Sequence, residues 1–280
     1  MKEKVITNLH IEKFCNYMLE EEKSSATIEK YLRDIRKFTD FAQGKILDKQ
    51  MTLSYKAALQ NGYATASVNS MLAAMNTFLK FLGWEELCVK QIKVQAKVYC
   101  PEEKELTQAE YMRLVNTART KGNERLSLII QTICGTGIRV SELEYITVEA
   151  VRRGETIVDC KGKSRIVFIV PKLRKKLMIY AKKRGINSGP IFITRSGVPI
   201  SRCNIWREMK ALCKDAGVSS SKVFPHNLRH LFARVFYGIE KDIAKLADIL
   251  GHSSINTTRI YIMTTGIEHR RKMEKMQLIL

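Results

Sequence analysis

The sequence predicts a mainly α-helical protein of two domains, with a small antiparallel β-sheet in the second domain. Apolar residues recur at helical spacing through the N-terminal third, and a charged stretch with Pro101 then interrupts the pattern. A short alternating pattern flanks a Lys-Gly-Lys turn near residue 162. We therefore assign 1–90 to an N-terminal helical domain, 91–105 to a linker and 106–280 to a C-terminal domain. A chain of 280 residues is long enough to bury both cores.

The N-terminal domain is predicted to be a bundle of four to five helices. Helices are predicted at 9–22, from the cap candidates at 24–27 onward, at 48–60 up to Asn61-Gly62, and from Thr65 to Gly83. Apolar residues at helical spacing mark the inward faces: Leu9, Phe14, Met18, Leu19; then Ile28, Leu32, Ile35, Phe38, Phe41; and finally Val68, Met71, Leu72, Met75, Phe78, Leu79 and Leu82.

The C-terminal domain is predicted to open with a capping box formed by Thr107 and Glu110. A buried helix follows at Leu126–Ile133 and ends in a glycine-rich break. Strands at 156–160 and 165–170 are predicted to form the hairpin. Further helices are predicted at 171–184, 201–216, 226–238 and 241–250.

The chain is strongly basic, and its charge is unevenly distributed. Of the net charge of +20, residues 1–98 carry +4 and residues 99–280 carry +16. A domain this basic attracts a polyanion such as duplex DNA, in a salt-dependent manner, although a merely solvated basic surface is the alternative. No run of 18 apolar residues and no signal peptide is present, so we expect a cytoplasmic protein that does not bind membranes.

Seven cysteines are scattered along the chain, and none form a Cys-x-x-Cys pair. Such scattering is typical of small buried hydrophobic side chains in a reducing compartment. We therefore predict neither zinc ligands nor a disulfide framework.

Six residues with cationic, imidazole or phenol side chains stand in short sequence frames of the C-terminal domain: Arg139, Lys161, His226, Arg229, His252 and Tyr261. The frames read Gly-Thr-Gly-Ile-Arg-Val-Ser-Glu-Leu, Lys-Gly-Lys, Pro-His-Asn-Leu-Arg-His and Leu-Gly-His-Ser, with the tyrosine nine residues after the last histidine. Attack on a phosphodiester needs a nucleophile, charge stabilisation on the phosphate oxygens and a proton for the leaving oxygen. This set of side chains can supply all three.

In order and frame, these residues resemble the tyrosine recombinases, the Xer and phage-integrase family, over residues 106–265. The resemblance implies a SAM-like core-DNA-binding bundle and a DNA breaking-rejoining catalytic domain that clamp a core site. It implies that Tyr261 attacks one strand, forms a 3′-phosphotyrosyl link and frees a 5′-hydroxyl. Strand exchange would pass through a Holliday junction, for integration, excision, inversion or resolution, without a metal or other cofactor.

The resemblance also suggests roles for the other five residues. Arg139 and Arg229 offer planar donor forks that match phosphate oxygens. His226 would accept or share the proton of the tyrosine, and His252 would donate a hydrogen bond to a non-bridging oxygen. Lys161 would protonate the leaving 5′ oxygen.

Three neighbouring residues leave alternatives open. Lys163 lies two residues after Lys161 and is the other candidate for the general acid, and either lysine could instead only contact backbone phosphates. Glu142 lies three residues after Arg139 and either orients it or is a surface or capping carboxylate. We interpret His230 as a structural histidine that packs behind the site.

Double-stranded DNA recombination sites are the partner that the resemblance implies. Polar faces of the second and fourth helices could read bases in a major groove or could simply be solvated: Lys30, Arg33, Lys37, Ser67, Asn69 and Asn76. The apolar residues after Tyr261 either close their own core or are donated to a neighbour in a homotetramer, or a ring with related protomers, on two duplexes: Ile267, Met273, Met276, Leu278, Ile279 and Leu280. DNA-bending or directionality proteins are possible accessories, and we expect association with the nucleoid.

Two other classes of protein remain compatible with the sequence. A type IB topoisomerase would use a similar nucleophile and cation set to relax DNA as a monomer. A non-catalytic DNA-binding regulator would use the fold only to recognise sites. The compact N-terminal bundle argues against the first, and the complete catalytic set argues against the second.

Overall fold

The computed structural model describes residues 4–94, 102–160, 163–262 and 274–276. The chain divides into two compact units, Met1–Ala96 and Lys97–Leu280, and each has its own hydrophobic core. Both units are mainly helical, as predicted. Within these described ranges, no helix has the length and apolar character needed to cross a membrane.

The N-terminal unit contains four α-helices in its described part. They are α1 (Asn8–Glu20), α2 (Ser25–Ala42), α3 (Lys49–Gly62) and α4 (Thr65–Phe81), followed by a 3₁₀ turn at Glu85–Leu87. Thr7 and His10 form a capping box at the start of α1, and Asp48 caps α3 by accepting a hydrogen bond from the backbone of Met51. The four predicted helices are therefore confirmed, with ends shifted by a few residues.

Two residues that were predicted to face the core of the first helix do not. Leu9 and Leu19 are 55% and 59% exposed, whereas Phe14 and Met18 are buried. Successive residues turn by about 100° around a helix, so Leu9 lies on the opposite side from Phe14 and Leu19 lies well away from Met18. In this short helix the apolar residues are therefore more numerous than the buried face can hold.

Asn69 and Asn76 also differ from expectation. Asn76 accepts a hydrogen bond from the backbone N–H of Val89 (3.0 Å) and donates one to the carbonyl of the same residue (2.8 Å). Asn69 makes the same pair of bonds with Ile92, at 2.8 and 2.9 Å. The two amides of α4 thus fix the extended segment that follows the bundle, which argues against both alternatives left open for them, base reading and a solvated face.

The C-terminal unit combines helices with one β-hairpin. Its helices are α5 (Gln108–Thr120), α6 (Glu124–Thr136), α7 (Val148–Arg153), α8 (Pro171–Lys183), α9 (Arg202–Ala216), α10 (Pro225–Glu240), α11 (Ile243–Leu250) and α12 (Ile255–Tyr261). The hairpin consists of β1 (Glu155–Cys160) and β2 (Lys163–Phe168), paired antiparallel with Val158 opposite Arg165. Helix α6 lies at the centre of the core and packs against α5, α8 and α10.

Most predicted elements of this unit are confirmed, including the Thr107–Glu110 capping box and the hairpin. Two short α-helices were not anticipated, α7 and α12; in addition, a short 3₁₀ helix at Val140–Tyr145 begins after Arg139, which is its N-cap residue. Each has seven residues or fewer, and so few residues carry too little periodicity to indicate a helix. Two of these short elements carry or border residues of the site described next.

Candidate active site

Arg229 lies where three helices meet and is almost completely buried, with 1% of its surface exposed. It extends from α10 and donates hydrogen bonds to the carbonyls of Gly137, at the end of α6, and Leu250, at the end of α11. A third bond joins its Nη2 to Nε2 of His252 at 3.2 Å. Burial, followed by repulsion from Arg139, lowers the pKa of Arg229 to about 10, so it remains a cation at neutral pH.

Gly137 has a backbone conformation that this packing requires. It ends α6 in the left-handed region, with φ +66°, and a Cβ there would lie 2.6 Å from the ring of Phe232. Only glycine adopts this conformation without strain while leaving room for the ring. The carbonyl that Arg229 binds is thereby placed beside α10.

A single buried carboxylate, Glu142, binds two arginines. Arg139 donates from its backbone N–H (2.8 Å) and from Nη1 (2.7 Å), and Arg165 on β2 donates from both terminal nitrogens at 2.9 and 2.6 Å. Burial acts to raise the pKa of Glu142, but the bonds from Arg165 and Arg139 outweigh it and hold the pKa at about 2. Glu142 is therefore a buried ion-pair partner that orients Arg139, not a surface carboxylate.

Tyr261, at the end of α12, is surrounded by three imidazoles. Its hydroxyl lies 3.2 Å from Nε2 of His226, and its ring lies flat on that of His230, with centroids 4.0 Å apart and planes 3° apart. The ring of His252 lies 4.8 Å away at a tilt of 55°. The guanidinium of Arg229 lies 5.9 Å from the centre of the phenol ring, so the ring covers this cation. Only 7% of the surface of Tyr261 is exposed.

The hydrogen bonds of His252 fix its tautomer. A guanidinium can only donate, so Nε2 of His252 accepts from Arg229 and Nδ1 carries the proton. Nδ1 then donates to Oγ1 of Thr258, 2.9 Å away, and Thr258 is fully buried. In this arrangement His252 faces the cation as an acceptor.

All three imidazoles have lowered pKa values. Burial is the main cause for His252 and His230, whose pKa values fall to about 4, with Arg229 adding repulsion in both cases. His226 is partly exposed, but packing of its ring and the charges of Arg229 and Arg139 also lower its pKa. The histidines are therefore neutral at pH 7, and His226 is able to accept a proton.

The structure brings together five of the six residues that the sequence singled out: Arg139, His226, Arg229, His252 and Tyr261. Arg139 joins the group through a 3.4 Å bond from Nη2 to the carbonyl of Gly251, directly before His252. Lys161 lies outside the described residues, and so does the glycine after it. Lys163 is the first residue of β2.

Three residues that contact the site were not among the six singled out from the sequence: Arg165, His230 and Thr258. A signal for Arg165 existed, because it shares the inward face of β2 with the apolar residues at 167 and 169. His230 follows His226 by four residues and so lies on the same helix face, which was also visible. Nothing in the sequence pattern indicated Thr258.

The charge of the site is unbalanced. Arg139 and Arg165 pair with the carboxylate of Glu142, whereas Arg229 bonds to two carbonyls and His252. Among the residues that the structure describes, no cluster of histidine, cysteine and carboxylate side chains is suited to hold a metal ion. The excess positive charge and the neutral imidazoles suit binding of a phosphate group beside a phenol.

The chain matches the phage integrase family over residues 104–266 and the phage integrase N-terminal SAM-like domain over residues 11–86. It is 29% identical over 287 residues to the tyrosine recombinase XerA of Pyrococcus furiosus, with 100% of this chain and 98% of that protein covered. It is 32% identical over 279 residues to the tyrosine recombinase XerA of Thermococcus kodakarensis, with 96% and 95% covered.

The fold is similar to that of the XerH site-specific recombinase in a crystal structure of its pre-cleavage complex with the difH substrate. The TM-score is 0.70 at 18% identity, with 95% of this chain and 84% of that chain covered. The phage integrase match alone extends over more than half of the chain, and the XerA relatives align over nearly all of it. The chain therefore belongs to the phage integrase family and is a tyrosine-type site-specific DNA recombinase.

Proposed function

We propose that this recombinase cuts and rejoins DNA through a covalent link between Tyr261 and a 3′ phosphate. The observation that carries the proposal is the 3.2 Å distance between the phenol hydroxyl of Tyr261 and Nε2 of His226, a neutral imidazole. A phenol must lose its proton as it attacks, and a neutral imidazole at hydrogen-bond distance can take it.

The proposed step balances without a metal or nucleotide. The phenol oxygen forms a bond to phosphorus while the bond from phosphorus to the 5′ oxygen breaks. The phenol proton passes to His226, and Lys161, or Lys163 as the alternative, gives a proton to the 5′ oxygen. Arg139 and Arg229 stabilise the charge that develops on the non-bridging oxygens. The reverse attack by a 5′-hydroxyl restores the backbone, and two such exchanges pass through a Holliday junction.

DNA binding must rearrange the site around Arg229. Three of its five N–H groups are bound to two carbonyls and His252, and the ring of Tyr261 covers the guanidinium. We infer that the phenol ring moves off Arg229 when the phosphate enters, while it keeps its contacts with His226 and His230. Once the phosphate replaces His252 as a partner of Arg229, Nε2 of His252 is free to donate to a non-bridging oxygen after taking up a proton or changing tautomer.

Double-stranded recombination sites are the proposed partner. An open pocket beside His226 is lined by Arg202, Trp206 and Arg207, without a carboxylate among its lining residues. Two arginines in a pocket that His226 also lines suit the strand that flanks the cut phosphate. Both domains would bind the same duplex. Four copies on two duplexes would complete the exchange, in the nucleoid. Of the segment proposed to join neighbouring copies, 262–280, the structure describes only residue 262 and residues 274–276.

A nicked suicide substrate tests the nucleophile. The site is first selected from random duplex DNA by binding to wild-type protein, and a nick beside the cut lets the short 5′-hydroxyl fragment leave. We expect a covalent adduct with wild type and with the control Tyr237→Phe, but not with Tyr261→Phe. Tyr237 is a suitable control because it packs in the same small cluster as Tyr261. An adduct that persists in Tyr261→Phe shows that the nucleophile is another residue.

The same assays separate the other two functions that the sequence allowed. Relaxation of a supercoiled plasmid by the monomer, without paired sites, is the result expected of a type IB topoisomerase. Binding of the selected site without any adduct is the result expected of a regulator. Binding without an adduct contradicts the proposed cleavage, and relaxation without any recombination of paired sites contradicts the proposed strand exchange.

A further inference from the structure

Arg165 is a buried arginine of the hairpin that contacts two separate parts of the site. Its side chain is 9% exposed, and its terminal nitrogens bind both carboxylate oxygens of Glu142. A planar fork paired with both oxygens of a carboxylate fixes distance and orientation together. Strand β2 is therefore anchored to the 3₁₀ helix that begins after Arg139.

The same carboxylate also binds Arg139, so Glu142 links strand β2 to Arg139. Glu142 accepts from the backbone and the side chain of Arg139, and from Arg165, 26 residues farther along the chain. Neither guanidinium can turn without disturbing the carboxylate that the other one holds. The position of β2 and the position of Arg139 are thereby coupled.

The stem of Arg165 contacts a third element. Gly251 has φ +64°, and a Cβ on it would lie 2.6 Å from Cδ of Arg165. The carbonyl of Gly251 also accepts a bond from Arg139, and His252 follows directly. Arg165, which is part of the hairpin, thus contacts both the carboxylate that holds Arg139 and the turn that precedes His252.

We propose that Arg165 is a positioning residue that aligns the hairpin carrying the general-acid lysine with the phosphate held by Arg139. This inference rests on the proposed function, because it presupposes a lysine of the hairpin as the acid. Arg165 touches no reacting atom. Its effect is to hold β2 in a fixed relation to Arg139, so that Lys161, two residues before β2 in the chain, or Lys163, its first residue, reaches the 5′ oxygen.

A substrate with a changed leaving group tests this role. Sulfur in place of the 5′-bridging oxygen leaves as a thiolate and needs no proton, so a fault in proton delivery disappears with this substrate. With the ordinary suicide substrate, we expect Arg165→Lys to slow adduct formation by about tenfold or more relative to wild type. The reason is that a well-placed general acid contributes roughly a hundredfold or more to the rate. With the sulfur substrate we expect its rate to return to within about threefold of wild type, as only the alignment of the acid is lost.

A matched control separates this role from a loss of stability. Arg125 also pairs with a glutamate in the same unit, Glu208 at 2.7 Å, away from the site. We expect the rate of adduct formation by Arg125→Lys, divided by the wild-type rate, to be the same with both substrates. Thermal melting and DNA affinity are measured for both variants. If Arg165→Lys does not fold, Gly251→Ala displaces the same side chain while keeping its charge, and we expect it to show the same preference for sulfur.

Two outcomes overturn the inference: Arg165→Lys slows both substrates equally, or it slows neither. Failure of the proposed function gives different results. If neither Lys161→Ala nor Lys163→Ala is restored by sulfur, the hairpin lysine is not the acid, and if Tyr261→Phe still forms an adduct, the nucleophile is wrong. If a lysine variant is restored by sulfur and Arg165→Lys is not, the positioning role alone is rejected.

Discussion

The imidazole of His230 lies flat against the phenol of Tyr261, with ring centroids 4.0 Å apart and planes 3° apart. His226 meets both rings edge-on, at 4.8 Å from His230 and 5.1 Å from Tyr261. A stacked ring restricts rotation of the phenol about the side-chain bonds that join it to the backbone. The contact therefore keeps the hydroxyl of Tyr261 aimed at His226, and His230 belongs to the site as a support of the nucleophile, in keeping with its expected packing behind the site.

The stacking contact predicts a difference between an aromatic and an aliphatic replacement of His230. We expect His230→Phe to keep adduct formation within about threefold of wild type, because a stacked aromatic pair contributes about 1 kcal/mol whether or not the ring carries nitrogen. We expect His230→Leu to slow it by about tenfold, since the phenol then samples unproductive orientations. Single-turnover rates on the nicked substrate, at saturating protein, measure the effect.

Binding of the selected DNA site should be equal in the two His230 variants, which separates orientation of Tyr261 from assembly on DNA. Rates near that of wild type for both His230→Phe and His230→Leu would contradict the stacking role. A defect in His230→Phe as large as that of His230→Leu would instead show that a ring nitrogen is required.

Local spacing explains why much of the site could be predicted from the sequence. His226 and Arg229 lie three residues apart on one helix, and Arg139 and Glu142 are also three apart, so their proximity follows from backbone geometry. The pairs that could not be predicted join distant segments. Arg165 is 23 residues from Glu142, and His230 is 31 residues from Tyr261. Their contacts depend on how the hairpin and α12 pack, which no short pattern encodes.

The fold was predictable to a similar extent. Long helices with clear caps, such as the one that begins after Thr107, follow from periodicity and capping residues. The exposed Leu9 and Leu19 were wrongly predicted to face the core. Periodicity shows only where apolar residues recur, whereas burial depends on which other elements pack against that face of the helix. The backbone contacts of Asn69 and Asn76 were not predicted for a related reason, because their partners lie in an irregular segment 23 and 13 residues away.

Thr258 provides a second test, because it holds His252 through one buried hydrogen bond. Thr258→Val keeps the shape and removes the acceptor for Nδ1, which leaves a buried donor without a partner at a cost of about 1–3 kcal/mol. We expect adduct formation to slow by about tenfold or more, since His252 loses its orientation. Thr258→Ser keeps the hydroxyl and is the matched control, with a rate expected near wild type. A normal rate for Thr258→Val would mean that this bond does not orient His252 for the reaction.

The lowered pKa values predict that the C-terminal unit loses stability as the pH falls. His230 and His252 have pKa values of about 4 in the folded unit, below the ordinary 6.5. Between these values the unfolded chain binds more protons than the folded one, so the free energy of unfolding rises with pH across this window. Glu142, whose pKa falls from the ordinary 4.5 to about 2 on folding, adds to the loss in the same direction, but mainly below pH 4.5. We therefore expect a lower melting temperature at pH 5 than at pH 7.5.

The protein contains two tryptophans, and Trp84→Phe leaves Trp206 as a fluorescent reporter of the C-terminal unit. In that background we expect His230→Phe to reduce the difference in melting temperature between the two pH values, because one of the depressed groups is gone. An unchanged difference would show that the titration of His230 does not contribute to stability in this range.

Gly251 and Gly217 form a matched pair that isolates the contact with Arg165. Both end a helix in the left-handed conformation, with φ +64° and +59°, but a Cβ at Gly217 would meet nothing within 4 Å. Gly217→Ala should therefore cost only the backbone strain, about 1–2 kcal/mol of the free energy of unfolding. Gly251→Ala should cost about 1–3 kcal/mol more, because the new methyl group overlaps the stem of Arg165.

Urea unfolding of both alanine variants measures the two costs, with the Trp206 reporter confining the signal to the C-terminal unit. Adduct formation should fall with Gly251→Ala and stay near the wild-type rate with Gly217→Ala, since only the former moves Arg165 and the turn before His252. Equal stability losses in the two variants would mean that the side chain of Arg165 yields freely to the methyl group. In that case Arg165 is held less tightly than its bonds to Glu142 indicate, and the coupling between the hairpin and Arg139 is correspondingly weak.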